Sequence, residues 1–423
     1  MRTMKKWIYC LLVVFLAACS NEIPEQQPAK RSGRTVLAYL ISNNQARSLE
    51  TYLQDNVVDM YTALGNMKES CTLLVFYRPK VNGSPLDNPT LMSFYTDGRG
   101  NVNNQPALTG ENLTFEGVCQ VAQKKQYTMS SQIATDPTVM EEVFKDMQTA
   151  APSDSYGVIF GSHGTGWIKG NSVQTKAFGD DSGYHIDIPD LANVLKNSFT
   201  DKLDFVLFDA CMMGTTEVGY ELKDIASHCV ASVMETPLYG FPYAQILPYL
   251  YADSIDYSAV CHEFISFNKT NNLWGTCAAV DCSQMENLAE AVKSKLTEWE
   301  DALPSVSMEN VQQYGVGSYR YFSYDVLDFF RELGRKSGVA DTDLNTEIAS
   351  VQTALNQAVI AKECIPNPPS VYSDFKVDDT RFCGIGMYIL EAYNPYVTSK
   401  TSWNTYYESS IAWYRAAGWD TLN

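Results

Sequence analysis

Two short apolar runs, each ending abruptly in a reactive side chain among small residues, constrain this chain more than any other feature. They are Tyr156-Gly157-Val158-Ile159-Phe160-Gly161-Ser162-His163-Gly164-Thr165-Gly166-Trp167 and Asp204-Phe205-Val206-Leu207-Phe208-Asp209-Ala210-Cys211-Met212-Met213-Gly214. A strand buried on both faces reads as a continuous apolar run, and a parallel sheet delivers its chemistry at the carboxyl ends of such strands. His163 and Cys211 lie 48 residues apart, room for a second strand, a helix and a return, so the two ends can be neighbours.

Taken alone, a cysteine among apolar residues is ordinarily core and a single histidine ordinarily structural. The matched strand-end settings set this pair apart. A cysteine where a strand turns into a helix has its thiolate stabilised by the helix N-terminus, and a neighbouring imidazole lowers its pKa further, which predicts a nucleophile at neutral pH. His163 then serves the leaving amine as acid and the attacking water as base. Gly161, Gly164 and Gly166 admit a peptide backbone and leave N–H groups to hold an oxyanion. His185, His228 and His262 lack such flanks, and no close histidine pair or Cys-x-x-Cys suggests a metal such as zinc.

Upstream, Thr35–Ile41 reads as a buried strand, Leu49, Tyr52, Leu53, Val57, Met60, Tyr61 and Leu64 as one helical face, and Cys71–Tyr77 as a second strand. This βαβ opening predicts a parallel sheet with helical crossovers. Residues 79–132, rich in Asn, Gly and Pro, read as hairpin and loop decoration, with alternating pieces at Leu91–Tyr95 and Gln126–Ser130. Asp136-Pro137 starts a helix as cap and first-turn proline. Downstream, the patterns predict a helix at Glu217–Ile225, a strand at Cys229–Met234, and a helix-rich remainder from Tyr243. In that remainder, helices are expected at Met285–Trp299, Val326–Leu333 and Leu344–Ile360, and strands at Gly275–Val280 and Phe382–Leu390.

With 423 residues, one core rarely suffices, so two units or one enlarged α/β unit are expected. Arg2, Lys5 and Lys6 precede the apolar run Trp7–Ala18, a secretory signal too short to span a membrane. Leu16-Ala17-Ala18-Cys19 resembles a bacterial lipobox, with Cys19 as the lipidated first residue of an exported, lipid-anchored protein. Removing residues 1–18 takes the net charge from −18 to −21, a field that repels phosphate backbones and argues against nucleic acid. Beyond Cys10 and Cys19, nine cysteines remain, an odd number that leaves at least one thiol free.

Ser162-His163-Gly164 at a strand end, followed by Phe208-Asp209-Ala210-Cys211-Met212-Met213 and Glu217-Val218-Gly219-Tyr220-Glu221-Leu222, resembles the clostripain-type family of cysteine peptidases, relatives of the caspases, gingipains and separases. The likeness extends to Arg34–Asn44, Ala231–Tyr243 and Gly384-Ile385-Gly386-Met387-Tyr388. It implies a caspase-like α/β fold, a mostly parallel sheet flanked by helices, with a helix-rich C-terminal portion. The expected divisions are a signal at 1–18, a tether at 19–33, a peptidase core at 34–243, and a portion at 244–423 that packs on the core and completes the sheet.

By the same resemblance, His163 and Cys211 are catalytic, and the N–H groups of Gly164 and Cys211 hold the oxyanion. Asp209 is the acid of an S1 pocket that selects Arg or Lys; two residues before Cys211, its side chain leaves the strand on the same side. Its other reading is a helix cap. This chain departs from many relatives in having one carboxylate within Val233–Gly240. Activation by cleavage between the dyad strands points to Lys176-Ala177, with Lys169-Gly170 second. Some relatives depend on calcium, for which Asp180 and Asp181 are the only hint; no cofactor is required. The expected partner is a peptide or protein substrate, met by a monomer that touches the membrane through its lipid alone. Two other classes share these residues: a catalytically silent peptide-binding lipoprotein, and a thiol amidase or acyltransferase.

Overall fold

The computed structural model describes residues 31–44, 48–80, 85–128, 133–169, 177–317 and 320–422, without the side chains of 31–32 and 398–402. The signal, Cys19, most of the tether, Gly170 and Lys176 lie outside the described residues.

The first half of the chain supplies strands β1 (Arg31–Ile41), β2 (Cys71–Arg78), β3 (Thr90–Thr96), β4 (Asn101–Val102), β5 (Gln105–Pro106), β6 (Gln123–Gln126), β7 (Ser153–Gly161), β8 (Phe178–Asp181) and β9 (Tyr184–Ile186). The second half supplies β10 (Leu203–Asp209), β11 (Ala226–Ala231), β12 (Thr276–Asp281), β13 (Tyr324–Asp325), β14 (Val359–Cys364) and β15 (Gly386–Met387). The main sheet runs β14-β12-β11-β10-β7-β1-β2-β3-β4-β5, with β6 also on β3. Its five central strands, β2, β1, β7, β10 and β11, are all parallel. Antiparallel β3 closes one side, and β12 with β14 the other.

β1 shows why the apolar runs are unbroken. Val36, Ala38 and Leu40 face one layer of helices, α1 (Glu50–Asn66), α6 (Tyr243–Tyr251) and α7 (Tyr257–Thr270), while Leu37, Tyr39 and Ile41 face another, α3 (Pro137–Ala150) and α4 (Ile188–Ser198). Between these in sequence fall α2 (Phe115–Val121) and α5 (Thr216–Glu221). A central strand buried on both faces has no use for alternation. A third core joins α8 (Met285–Glu298), α9 (Val326–Lys336), the short α10 (Leu344–Glu347), α11 (Ala349–Ala358) and, through Trp403 and Tyr407, α12 (Thr401–Ser410) to Trp167, Met212 and Tyr388.

Several elements differ from expectation. α5 ends at Glu221, not Ile225, and β11 starts at Ala226, before the expected Cys229. The helix expected at Leu344–Ile360 is two helices followed by strand β14, so Val359 and Ile360 belong to the sheet. Of Phe382–Leu390, only Gly386–Met387 forms a strand, and it pairs with β13 in a separate small sheet. The region read as decoration contains β3, a full strand of the main sheet.

Candidate active site

β7 and β10 are adjacent and in register, Asp209 opposite Gly161, and Ser162 N–H continues the ladder to Asp209 O at 3.4 Å. His163 and Cys211 therefore both lie two residues beyond a paired position, at the same carboxyl edge. One pocket of about 40 Å³ is lined by Ser162, His163, Asp209, Ala210 and Cys211, by Leu49, Tyr52, Leu53 and Asn56 at the start of α1, and by Thr236, Pro237, Leu238 and Gly240. That is room for about one or two waters, so a long side chain reaching Asp209 must part these walls.

Cys211 is half-buried, and its thiol donates toward Thr236 O at 3.9 Å. Burial pushes this thiol up to about 12, and the charges of Glu235 and Asp209 push the same way. The expected support from a helix N-terminus is missing. α5 starts at Thr216, five residues on, capped by Thr215. The chain turns first through Met212 at φ 58°, and the N–H groups of Met212 and Gly214 are spent on Met234 O (2.9 Å) and Ser232 O (2.8 Å), not aimed at the sulfur. These surroundings favour the neutral form of the thiol.

Gly164 forms a bridge with Phe178 that uses Thr165 N–H to Ala177 O (3.1 Å) and Gly179 N–H to His163 O (2.9 Å). Gly164 N–H is outside that pairing and faces away from β8. A Cβ on Gly164 would meet Ala210 Cβ and Cys211 O, each at 3.0 Å, so the two arms are in contact.

Asp209 is buried, its Oδ2 accepting from Tyr243 Oη at 2.8 Å and Phe241 N–H at 3.2 Å. Burial pushes its carboxyl up to about 6 against these two donors. Gly240 closes over it, with room for no Cβ: one would sit 2.3 Å from Oδ2. The helix-cap alternative has no support here, since Thr215 caps α5.

The other named residues lie apart from this pocket. Ala177 is fully buried beside its bridge to Thr165. Lys169 is exposed, its Nζ 5.4 Å from the Tyr406 ring. Asp181 is buried and holds Arg78 Nε (2.9 Å), Ala134 N–H (2.7 Å) and Asn43 Nδ2 (2.5 Å), while Asp180 accepts from Gly183 N–H at 2.9 Å. Among the described residues no group of three or more His, Cys, Asp or Glu is placed to hold a metal ion, and no helix is long and apolar enough to cross a membrane.

The family model described as the Clostripain family matches residues 38–422. The chain belongs to the clostripain family. It is accordingly a cysteine peptidase, a hydrolase of peptide or protein substrates. The fold is similar to that of a secreted C11 cysteine protease from Bacteroides thetaiotaomicron in complex with an irreversible peptide inhibitor, at 23% identity and a TM-score of 0.67 over 92% of this chain and 100% of that one. A second structure from that organism, a secreted C11 cysteine protease called iotapain, gives 25% identity and 0.66 over 91% and 99%. An inactive zymogen C11 protease from Parabacteroides distasonis gives 21% and 0.67 over 91% and 97%. Comparison with curated proteins gives no match.

In this clostripain-family chain, the site residues that sequence reasoning missed are the α1 wall of the pocket and the groups that hold the loop facing it. Tyr52 stacks edge-on against Tyr239, ring centroids 5.5 Å apart, and Asn56 Nδ2 donates to Tyr239 O at 2.9 Å, tying α1 to the loop after β11. Trp274 Nε1 donates to Glu235 O at 2.8 Å and holds the same loop from the other side. The loop itself fell within the likeness at Ala231–Tyr243, and Pro237 and Gly240 signalled its turn, but neither pointed to α1 as the facing wall.

Proposed function

We propose that this peptidase is an endopeptidase working through a Cys211/His163 dyad, with Asp209 recognising Arg or Lys on the amino side of the scissile bond. The observation that carries this reading is the meeting of His163, Cys211 and Asp209 in one pocket at the ends of two adjacent parallel strands. His163 takes the thiol proton as Cys211 Sγ bonds to the substrate carbonyl carbon. The N–H groups of Gly164 and Cys211 hold the oxyanion. As the C–N bond breaks, His163 returns the proton to the leaving amine, and the acyl group stays on sulfur as a thioester. Water then gives a proton to His163 and attacks the thioester, and the proton passes back to the departing sulfur.

The Lys176–Ala177 bond is the proposed activating cut, with Lys169–Gly170 second. It lies in the loop that His163 opens, and its Lys fits the specificity proposed for Asp209. One of the related proteins is itself described as an inactive zymogen. Lipidation at Cys19 and export are proposed with it, the two relatives from B. thetaiotaomicron being described as secreted.

Fluorogenic peptides ending in Arg, Lys or a neutral residue test the reading. Cys211→Ala and His163→Ala should each lower kcat by at least about a thousandfold. Hydrolysis that survives Cys211→Ala would sink it, as would binding without cleavage by the parent. For the activating cut, mass spectrometry should find the parent divided after Lys176 and Cys211→Ala intact; a fully active single chain argues the opposite.

A further inference from the structure

Both arms of the site lean on one pair of tyrosines from the far end of the chain. The His163 arm runs on into Trp167, fully buried, whose ring lies 4.9 Å from that of Tyr388 and 4.7 Å from that of Tyr407. The Cys211 arm runs on into Glu217, also fully buried, whose Oε1 accepts from Tyr388 N–H at 2.9 Å and from the Tyr407 hydroxyl at 3.0 Å. The two tyrosine rings are 5.1 Å apart. Between the arms, Gly386 N–H donates to Gly214 O at 3.1 Å and Thr215 bridges Gly386, so β15 lies directly against the turn that carries Cys211. The arms also abut each other. Gly166 has φ 62°, and a Cβ there would sit 2.7 Å from the carbonyl oxygen of Met212, the residue after Cys211.

Glu217 is an expensive way to fill a core. Among the described residues, its second oxygen, Oε2, has no hydrogen-bond partner, nor does Trp167 Nε1. Burial pushes its carboxyl above the usual range. An apolar residue of similar volume would cost less in such a place, and where a buried polar group is kept its attested use is to fix one geometry.

We propose that Glu217, with Tyr407 and Tyr388, is a positioning group that clamps the C-terminal segment across both arms and so sets the geometry of His163 against Cys211. This rests on the dyad reading above. None of the three lines the pocket; they act through Trp167 on one side and the 211–215 turn on the other.

The test uses Tyr407→Phe, which keeps the ring and loses the hydroxyl, Glu217→Leu, which keeps volume and loses the acceptor, and Glu217→Gln, which keeps an acceptor oxygen. kcat and KM are measured separately, with the rate of Cys211 alkylation by iodoacetamide at neutral pH and the thermal melt. Displacements of the order of 1 Å are costly in such sites, so Tyr407→Phe should lower kcat about tenfold and Glu217→Leu about a hundredfold, at unchanged KM. Alkylation should slow in both, and Glu217→Gln should restore most of the loss. Folded variants with parental kcat and alkylation overturn the proposal; so does a change confined to KM. If Glu217→Leu does not fold, Tyr407→Phe decides alone. Alkylation needs no peptide, so a parent that hydrolyses nothing would defeat the peptidase reading while leaving the clamp open to judgement by thiol reactivity.

Discussion

Tyr243→Phe isolates the electrostatics of the proposed specificity pocket. Tyr243 is buried, and the substitution keeps its ring while removing one O–H donor, 2.8 Å from Asp209 Oδ2. Asp209 is already pushed up to about 6 by burial, with Tyr243 and Phe241 N–H acting against the rise. A hydrogen bond to a charged group is worth about 1.5–3 kcal/mol, and about 1.4 kcal/mol corresponds to one pH unit. The carboxyl should therefore titrate at about 7–8 in the variant. At pH 7 its ionised fraction falls from about nine-tenths to between about one-half and one-tenth. Because the charge is lost as pH falls through the pKa, the acid limb of kcat/KM for an Arg peptide should move alkaline by one to two pH units, about the value of the lost bond. Activity should recover above pH 9. The control is a twin peptide with citrulline in place of Arg, neutral and of the same shape. A limb that stays put, or one that moves equally for both peptides, refutes the assignment of Asp209. Linkage has the matching sign: with its folded pKa above the unfolded one, Asp209 contributes stability below about pH 4 that is lost as pH rises through about 6.

Two further substitutions probe the surroundings. Glu235→Gln removes a negative charge that helps raise the Cys211 thiol, so iodoacetamide should alkylate Cys211 several-fold faster at neutral pH; an unchanged or slower rate counts against the charge reading. Arg78→Leu strands Asp181, buried and 2.9 Å from Arg78 Nε, and should cost about 3–5 kcal/mol in urea unfolding; a loss below about 1 kcal/mol would show that Ala134 N–H and Asn43 suffice.

The parallel centre of the sheet was legible because strands buried on both faces leave unbroken apolar runs, as Val36–Ile41 and Phe205–Phe208 do. β14 was not, since helical spacing from Leu344 carries on into Val359 with no Gly or Pro to mark the stop; only the β-branched pair Val359-Ile360 signalled a strand. The helix N-terminus expected beside Cys211 was misplaced for a related reason. Local sequence placed a helix after it, but the left-handed Met212 and long-range hydrogen bonds to Ser232 and Met234 put four residues between thiol and helix. Glu217 lay in plain view within a quoted motif. Its role depends on Tyr388 and Tyr407, about 170 and 190 positions away, and no periodicity reports that.

The single direction of the five central strands also gives the sheet two unlike poles. β1 enters at Arg31 on the amino edge and runs about 33 Å to Ile41 on the edge where His163 and Cys211 emerge. Arg31 thus lies at the pole opposite the cleft. A full strand length of rigid sheet therefore separates that pole from the cleft, so a group joined at Arg31 stays clear of arriving polypeptides.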